Sequence, residues 1–364
     1  MAMFALEVPE VRRLPLLRTS ALKTWMTCPR RYKFEHVEGY MRVEEAHALR
    51  FGTLWHLLME GYLGAVQYGT DPLLALVRLD GENVDPWDLA KLRPLFLGYV
   101  ARWWDEDRET LNVLSIEREY EHDLVNPDTG HPSRTYRFGG RLDAEVSIGG
   151  RLLVMEHKTS SDDIAPGSDY WRQKRIDAQA SNYLAATGAE GNLYDVVKKL
   201  GLQPYKATPI ESRKYTVPKD KACPECKKKG AGPAPHEVDI GEGVLVACSG
   251  GRVVTDPGGR LYANLRERDE TVAEFEERCS VDIRDEPESY FVRGEVVRTA
   301  DELAEAQRDR WDLGRQVAEG VRLNRFPRNT TACFPLAGSP CPFASVCAGE
   351  ASLDSPMFTK KEGF

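Results

Sequence analysis

Apolar positions change their period along this chain, and the changes outline its elements. Residues 20–66 read as helical, with Ser20 capping a helix through Trp25 and Gly52-Thr53 starting another through Leu63. Residues 86–110 continue in helical register through Leu92, Leu95, Val100 and Trp104. From Val113 the period shortens. Val113–Leu124, Tyr136–Ile148 and Arg151–Lys158 read as strands, and Gly149-Gly150 is a hairpin signal. Ile176–Thr187 reads as a helix ended by Gly188, and 198–217 as a helix end followed by a strand. Residues 218–262 turn rich in Gly, Pro, Lys and Cys. Helix returns over 299–320, with Asp301 as cap or first-turn acid, and the tail from Arg322 is irregular and holds three cysteines.

This order predicts an α/β fold with a mixed central β-sheet flanked by helices. The expected division is an N-terminal helical region over 20–110 packing on a core over 111–217. A Cys/Lys-rich insertion over 218–262 and a C-terminal cysteine-bearing segment over 263–364 follow.

Composition narrows the chemistry. The chain has 364 residues, 41% of them apolar, enough for a sizeable core. No apolar run approaches the ~20 residues that span a membrane. Met1–Arg18 carries Glu7, Glu10, Arg12 and Arg13 among short apolar pieces, unlike a secretory signal. A cytoplasmic or intracellular viral setting is therefore expected, where eight cysteines point to metal ligands before disulfides. The net charge of −8 argues against a protein that coats nucleic acid, but a local basic groove beside acidic metal ligands is compatible with it.

The hairpin carries the sharpest geometry. If Gly149 and Gly150 form the turn, Ile148 pairs with Arg151, and counting back sets Asp143 opposite Glu156. Directly opposed residues have Cβ atoms roughly 4.5–5.5 Å apart, so two carboxylates there repel unless a cation lies between them. Mg²⁺ or Mn²⁺ with oxygen ligands meets that need. Lys158 shares a strand face with Glu156. Two acids, a divalent cation and an ammonium suit phosphodiester hydrolysis, whereas the plain alternative is a solvated hairpin face. Glu117 and Glu119 read as surface residues first, with an added acid near the site as the alternative.

Gly140-Arg141-Leu142-Asp143 followed by Val154-Met155-Glu156-His157-Lys158-Thr159 resembles the PD-(D/E)XK nuclease superfamily, and within it the RecB-like exonucleases. Phe51-Gly52-Thr53-Leu54-Trp55-His56 resembles the upstream histidine motif, and Gln179-Ala180-Ser181-Asn182-Tyr183 the downstream glutamine–tyrosine helix motif. Cys28-Pro29-Arg30-Arg31-Tyr32 and Cys341-Pro342-Phe343, ending at Cys347, resemble the split cysteine set of the iron–sulfur branch, which includes AddB nuclease domains and the small CRISPR-adaptation exonucleases.

The resemblance implies a restriction-endonuclease-like core. It makes His56, Asp143, Glu156 and the carbonyl of His157 metal ligands, and Lys158 the catalytic lysine. Gln179 and Tyr183 would stand beside the site. A [4Fe–4S] cluster would be held by Cys28, Cys333, Cys341 and Cys347. The gap between Cys333 and Cys341 is wider than in the commoner pattern, which leaves Cys279 as an alternative to Cys333, and structural zinc as an alternative to the cluster.

Outside the resemblance, Cys223-Pro224-Glu225-Cys226 is a zinc half-site, with Cys248 as third ligand and His236 or Cys279 as fourth. Lys219, Lys221, Lys227, Lys228 and Lys229 around it suit phosphate contact. DNA is the expected partner. The sequence has no Walker A pattern and so no motor of its own, which leaves a helicase or recombinase as a possible companion. The expected activity is that of a DNA exonuclease or end-processing nuclease. Two alternatives are a nuclease of CRISPR adaptation and an inactive nucleic-acid-binding module of recombination or repair, and the intact Asp143, Glu156 and Lys158 argue against the second.

Overall fold

A computed structural model describes residues 14–229, 236–239, 245–256, 258–335 and 340–361, with the side chains of 44–49 and 227–229 outside that description. The first 13 residues therefore lie outside it, as do the side chains of Lys227, Lys228 and Lys229. The chain divides into two compact units, Met1–Gly201 with Cys279–Phe364, and Leu202–Arg278.

The first unit opens with β1 (Leu16–Leu17), α1 (Thr19–Thr27), α2 (Pro29–Tyr32) and β2 (Tyr40–Arg42). Then come α3 (Val43–Tyr68), α4 (Pro86–Thr110), β3 (Leu111–Val125), β4 (Pro132–Ile148) and β5 (Arg151–Ser160). Helices α5 (Asp169–Arg175) and α6 (Ala178–Thr187) lead to β6 (Gly191–Lys198). The second unit holds β7 (Lys219–Ala222), α7 (Pro224–Lys229), β8 (Glu237–Asp239), β9 (Leu245–Ser249) and β10 (Arg252–Asp256). Helix α8 (Val272–Asp285) leads into α9 (Pro287–Tyr290), β11 (Phe291–Val296), α10 (Ala300–Arg322), α11 (Ala344–Ala348) and β12 (Phe358–Lys360).

The central sheet runs β1-β4-β5-β6-β11, and β3 pairs along the other edge of β4. It is mixed: β5 pairs antiparallel with β4 and parallel with β6. Helices α3 and α4 cover one face and α1, α6 and α10 the other, which is the expected mixed α/β architecture. In the second unit, β7-β10-β9-β8 form a four-stranded sheet of their own.

Several elements differ from their sequence reading for identifiable reasons. Ser20 does not cap α1. The N-cap is Arg18, in extended backbone and without a side-chain cap bond, because Ala21, Leu22 and Trp25 set the buried stripe one residue earlier. Helix α3 begins at Val43, and Gly52 lies inside it, where an added Cβ would sit 3.8 Å from Thr159 Oγ1. Burial of Leu54, Trp55, Leu58, Met59 and Tyr62 outweighs the ~1 kcal/mol helix penalty of that glycine. On α4 the buried stripe runs through Leu92, Leu95, Tyr99 and Trp103, in place of Val100 and Trp104. Ile176 lies between α5 and α6, because Asp177 caps α6 by accepting from the Gln179 N–H at 2.9 Å. Lys198 ends β6, and the prolines at 204, 209 and 218 leave the segment after it irregular apart from a turn at Ile210–Ser212. Helix α10 is capped by Thr299 and Glu302 in a capping box, with Asp301 in the first turn.

Candidate active site

The site forms where one edge of β4 is left open. The Gly149-Gly150 turn, with φ of 57° and 83°, sets the hairpin so that Ile148 pairs with Arg151 and Ala144 with Met155. Lower on the same edge β1 pairs with Arg137 and Phe138. Residues 139–143 lie between these two neighbours. Gly139 and Gly140 make this stretch narrow: a Cβ on Gly139 would fall 2.4 Å from the Tyr120 carbonyl oxygen, and one on Gly140 3.0 Å from the Tyr120 hydroxyl. The result is a cleft of about 390 Å³ lined by Arg18, Thr19, Ser20, Glu119, Tyr120, Gly139, Gly140, Arg141, Asp143, Glu156, Gln179 and Tyr183.

Groups from both helix layers meet at this opening. From α3, His56 Nδ1 lies 3.3 Å from Asp143 Oδ2. From β5, the backbone N–H of His157 donates to the same oxygen at 2.8 Å. The ladder thus runs only to Ala144 and Met155, and one step further the Asp143 carboxylate takes the place of a backbone partner. Glu156 Oε1 accepts from Lys158 Nζ and from Gln179 Nε2, the latter at 2.9 Å. Gln179 Nε2 also donates to the Tyr183 hydroxyl at 2.6 Å, and that hydroxyl donates to the Arg141 carbonyl at 3.1 Å. Asp143, Glu156, Lys158, Gln179, Tyr183 and His56 are therefore brought together.

Glu117 joins them. A bulge between Val113 and Ser115 shifts β3 by one residue against β4, so Glu117 comes opposite Asp143 where Ile116 would otherwise stand. Glu117 takes a positive φ of 50° there, and its carboxylate pairs with Arg141 at 2.8 Å. A ligand atom from each of His56, Glu117 and Asp143 falls within 4.8 Å of the others, the spacing of a single-ion site. Glu156 is not in that group, its Oε1 being taken by Lys158 and Gln179. The signal for Glu117 is a register slip, which alternation of residue types does not reveal.

The electrostatics call for a cation. Glu156 is 2% exposed and its Oε2 has no hydrogen-bond partner. Burial foremost, then the Asp143 charge, push its pKa up against the pull of Lys158. Burial also opposes charge on Asp143, but the His56 bond and charge hold its pKa below the usual value. Burial lowers the Lys158 pKa, yet Glu156 and Asp143 more than offset this and keep it an ammonium. An unpartnered buried carboxylate oxygen beside a His/Glu/Asp group fits a divalent ion with oxygen and imidazole ligands.

The ring of His157 points to the opposite face of β5, with Nδ1 3.2 Å from Asp195 Oδ2. Asp195 accepts from the Tyr99 hydroxyl and lies 3.4 Å from Arg293 Nη2. Arg293 also spans both oxygens of Asp107, at 2.5 and 2.7 Å, and Tyr62 donates to Asp107 at 2.8 Å.

The cysteines form two groups. In the second unit Cys223, Cys226, His236 and Cys248 bring their ligand atoms within 4.8 Å of one another. The sulfurs of Cys226 and Cys248 are 3.7 Å apart, and His236 Nε2 is 3.3 Å from Cys223 and 3.7 Å from Cys226. For Zn–S bonds of about 2.3 Å a tetrahedron has edges near 3.8 Å, so this Cys₃His group is ion-sized. Burial raises the Cys223 pKa, but the Cys226 N–H foremost, then His236, bring it down to about 6. His236 is thus the fourth member, and Cys279, buried on α8, is in neither group.

In the first unit Cys28, Cys333, Cys341 and Cys347 gather. The Cys341 N–H donates to the Cys333 carbonyl at 2.8 Å, and the Asn329 N–H donates to Cys28 Sγ at 3.4 Å. The Cys341 and Cys347 thiols are pushed up by burial foremost and then by Cys333 and Cys28. Among the described residues no three of these four close to 4.8 Å.

With fold and site defined, the chain belongs to the PD-(D/E)XK nuclease superfamily, whose sequence profile matches residues 19–348. No curated protein matches. A solved structure titled "Crystal structure of SSO0001" aligns at 17% identity over 52% of this chain and 65% of that one, with a TM-score of 0.24. The present chain thus spans about two thirds of that structure's length. Among the described residues no helix is long and apolar enough to cross a membrane.

Proposed function

We propose that this protein is a Mg²⁺- or Mn²⁺-dependent deoxyribonuclease acting as an exonuclease or end-processing enzyme. The observation that carries this is Glu156 Oε2, buried and unpartnered beside Asp143 and His56 in an open cleft. His56, Asp143, Glu156 and the His157 carbonyl are the proposed ligands, with Glu117 as a further acid. A divalent metal held by these residues would supply polarisation of a phosphoryl oxygen and a lowered pKa for a bound water. Lys158 stays protonated and faces the charge that develops on the phosphoryl oxygens. Gln179 fixes Glu156 from one side, and Tyr183 ties Gln179 to the Arg141 carbonyl, so the carboxylate does not swing away when substrate enters.

The same reading assigns a [4Fe–4S] cluster to Cys28, Cys333, Cys341 and Cys347. Its support is that these thiols gather from segments about 300 residues apart in sequence without closing to the spacing of one ion. Such a cluster staples the two ends of the first unit. Zn²⁺ is assigned to Cys223, Cys226, His236 and Cys248, where the edges suit it. A cytoplasmic enzyme working on DNA ends beside a helicase or recombinase is the expected setting.

The test is incubation of purified protein with linear and circular DNA, with Mg²⁺, Mn²⁺ or EDTA. Metal-dependent loss of linear DNA that disappears in Asp143→Ala and Lys158→Ala supports the reading. Degradation unchanged in both variants removes the assigned site, and an inert wild type across metals and substrates leaves a binding module. Anaerobically purified protein should be brown and carry one zinc per chain; a colourless protein with zinc in both cysteine groups overturns the cluster.

A further inference from the structure

A groove of about 300 Å³ runs between α1, α6 and α10, beside the carboxylate cleft. Thr19 lines both, and Asn182, buried in the groove, donates to Thr19 Oγ1 at 2.9 Å. Two guanidiniums line the groove. Arg298 donates to Ser181 Oγ at 2.9 Å and otherwise to backbone carbonyls. Arg310 is 9% exposed, donates from Nη1 to Asn182 Oδ1 at 2.7 Å and lies over the Phe138 ring. Neither has a carboxylate partner among the described residues.

Arg310 is the informative one. Burial opposes charge on Arg293 as well, but Asp195 and Asp107 more than offset it there. Arg310 has no such acid, and burial pulls its pKa below the usual arginine value. A buried charge without a counter-charge is strongly unfavourable. The Nε and Nη2 of Arg310 make no hydrogen bond among the described residues and are not sealed in the interior, so they are open to the groove that Arg310 lines. The missing partner is an anion from outside the chain.

The rest of the lining describes that anion. Leu22, Met26, Ile176 and Leu313 give it an apolar wall, with Met26 and Ile176 exposed at the rim. Glu305 and Asp309 stand exposed on the α10 side, where they repel a run of phosphates and can accept from amino groups. Glu302 is already engaged by Thr299 in the α10 cap. One anionic group, a flat apolar body and amine donors, in a space of this size, describe a mononucleotide. Resting on the nuclease reading, which releases such molecules in the neighbouring cleft, we propose that this groove binds a deoxynucleoside monophosphate, its phosphate on Arg310 and its base along Leu22, Met26 and Ile176. It holds product leaving the cleft and takes no part in bond cleavage.

The experiment uses the full chain in EDTA and phosphate-free buffer, and reads binding by isothermal titration calorimetry. Deoxyadenosine monophosphate should bind at a single site per chain. Inorganic phosphate and deoxyadenosine should each bind about tenfold more weakly or worse, the scale of one charge-assisted hydrogen bond or one stacked base. Arg310→Met should lower the nucleotide affinity about tenfold or more, without lowering the Tm of the ligand-free protein, because it removes a buried cation that has no acid. Ile176→Ser, on the exposed rim, should weaken the nucleotide several-fold and leave phosphate unchanged. Asp143→Ala should bind the nucleotide as wild type does. Absence of saturable nucleotide binding, binding unchanged in Arg310→Met, or binding lost in Asp143→Ala each overturn the site. So does a lowered Tm in Arg310→Met, which would mean that the chain already satisfies this arginine. Phosphate binding as tightly as the nucleotide overturns the nucleotide class. If Arg310→Met unfolds, Ile176→Ser and Asp143→Ala decide alone. Because binding is read without metal or turnover, the nuclease reading and this site can fail separately.

Discussion

The two faces of β5 treat buried charge in opposite ways. On one, Asp195 is fully buried and gathers Tyr99, Arg293 and His157 around its Oδ2 while its Oδ1 has no partner; burial raises its pKa, but Arg293 foremost, with His157 and Tyr99, brings it down to about 2. On the other, one residue before His157 in the strand, Glu156 is just as buried and also keeps one oxygen without a partner, yet with Lys158 as its cation and Asp143 beside it, its pKa is pushed up. Register explains the proximity, since His157 pairs with Asp195 and Arg293 pairs with Asp195 across three adjacent strands. The braced row fastens β5, β6 and β11 to α3 and α4. The other face leaves two carboxylates, Glu156 and Asp143, whose mutual repulsion is only partly offset by Lys158, an electrostatic deficit of the kind that functional sites carry.

The contrast can be broken from either side. The largest effect should come from the unbraced face: Lys158→Ala should lower the hydrolysis rate about 10³-fold, with DNA affinity within a few-fold of wild type, in single-turnover assays. On the braced face, Arg293→Met leaves Asp107 and Asp195 buried without their cation. Urea denaturation should show a loss of about 3–5 kcal/mol, with a smaller fall in rate per folded molecule than Lys158→Ala. A rate collapse with unchanged stability would mean that the two faces do not divide the work in this way.

Glu156→Gln should abolish hydrolysis and yet raise the Tm of the metal-free protein by about 3 °C, because it removes a repelled buried charge worth roughly 1 kcal/mol. A lowered Tm would show that Glu156 is satisfied without a cation. The braced row also sets an acid limit. The Asp195 pKa is depressed on folding, so its contribution is complete above the unfolded value of about 3.9 and is lost as pH falls through about 2. Acid titration should show stability falling over that window, and Asp195→Asn should flatten the fall. The smallest effect belongs to Glu117→Ala, expected to cost about tenfold in rate at low Mn²⁺ and less at saturating metal.

The hairpin was readable because a Gly-Gly turn fixes register, and register sets every later pair down to Ala144 and Met155. The spacing of Gln179 and Tyr183 was readable because residues four apart share a helix face. Glu117 stood only as the second reading of a surface residue, beside Glu119, because a one-residue bulge in β3 has no mark in the alternation of residue types and nothing in the sequence chooses between the two. Gly52 misled for the reverse reason: a local helix breaker was overruled by the burial around it. The choice of His236 over Cys279 also needed the folded chain, since both are plausible ligands by type and only distance separates them.

The mixed α/β class, the hairpin and the carboxylate and lysine residue types follow from periodicity, turn chemistry and short-range spacing. That β1 and β5 share one edge of β4 and leave residues 139–143 open between them emerges only from the folded chain. That opening depends on the pairing of β1 with a stretch of β4 more than a hundred residues away, and no local pattern encodes where that strand and β5 stop short of each other.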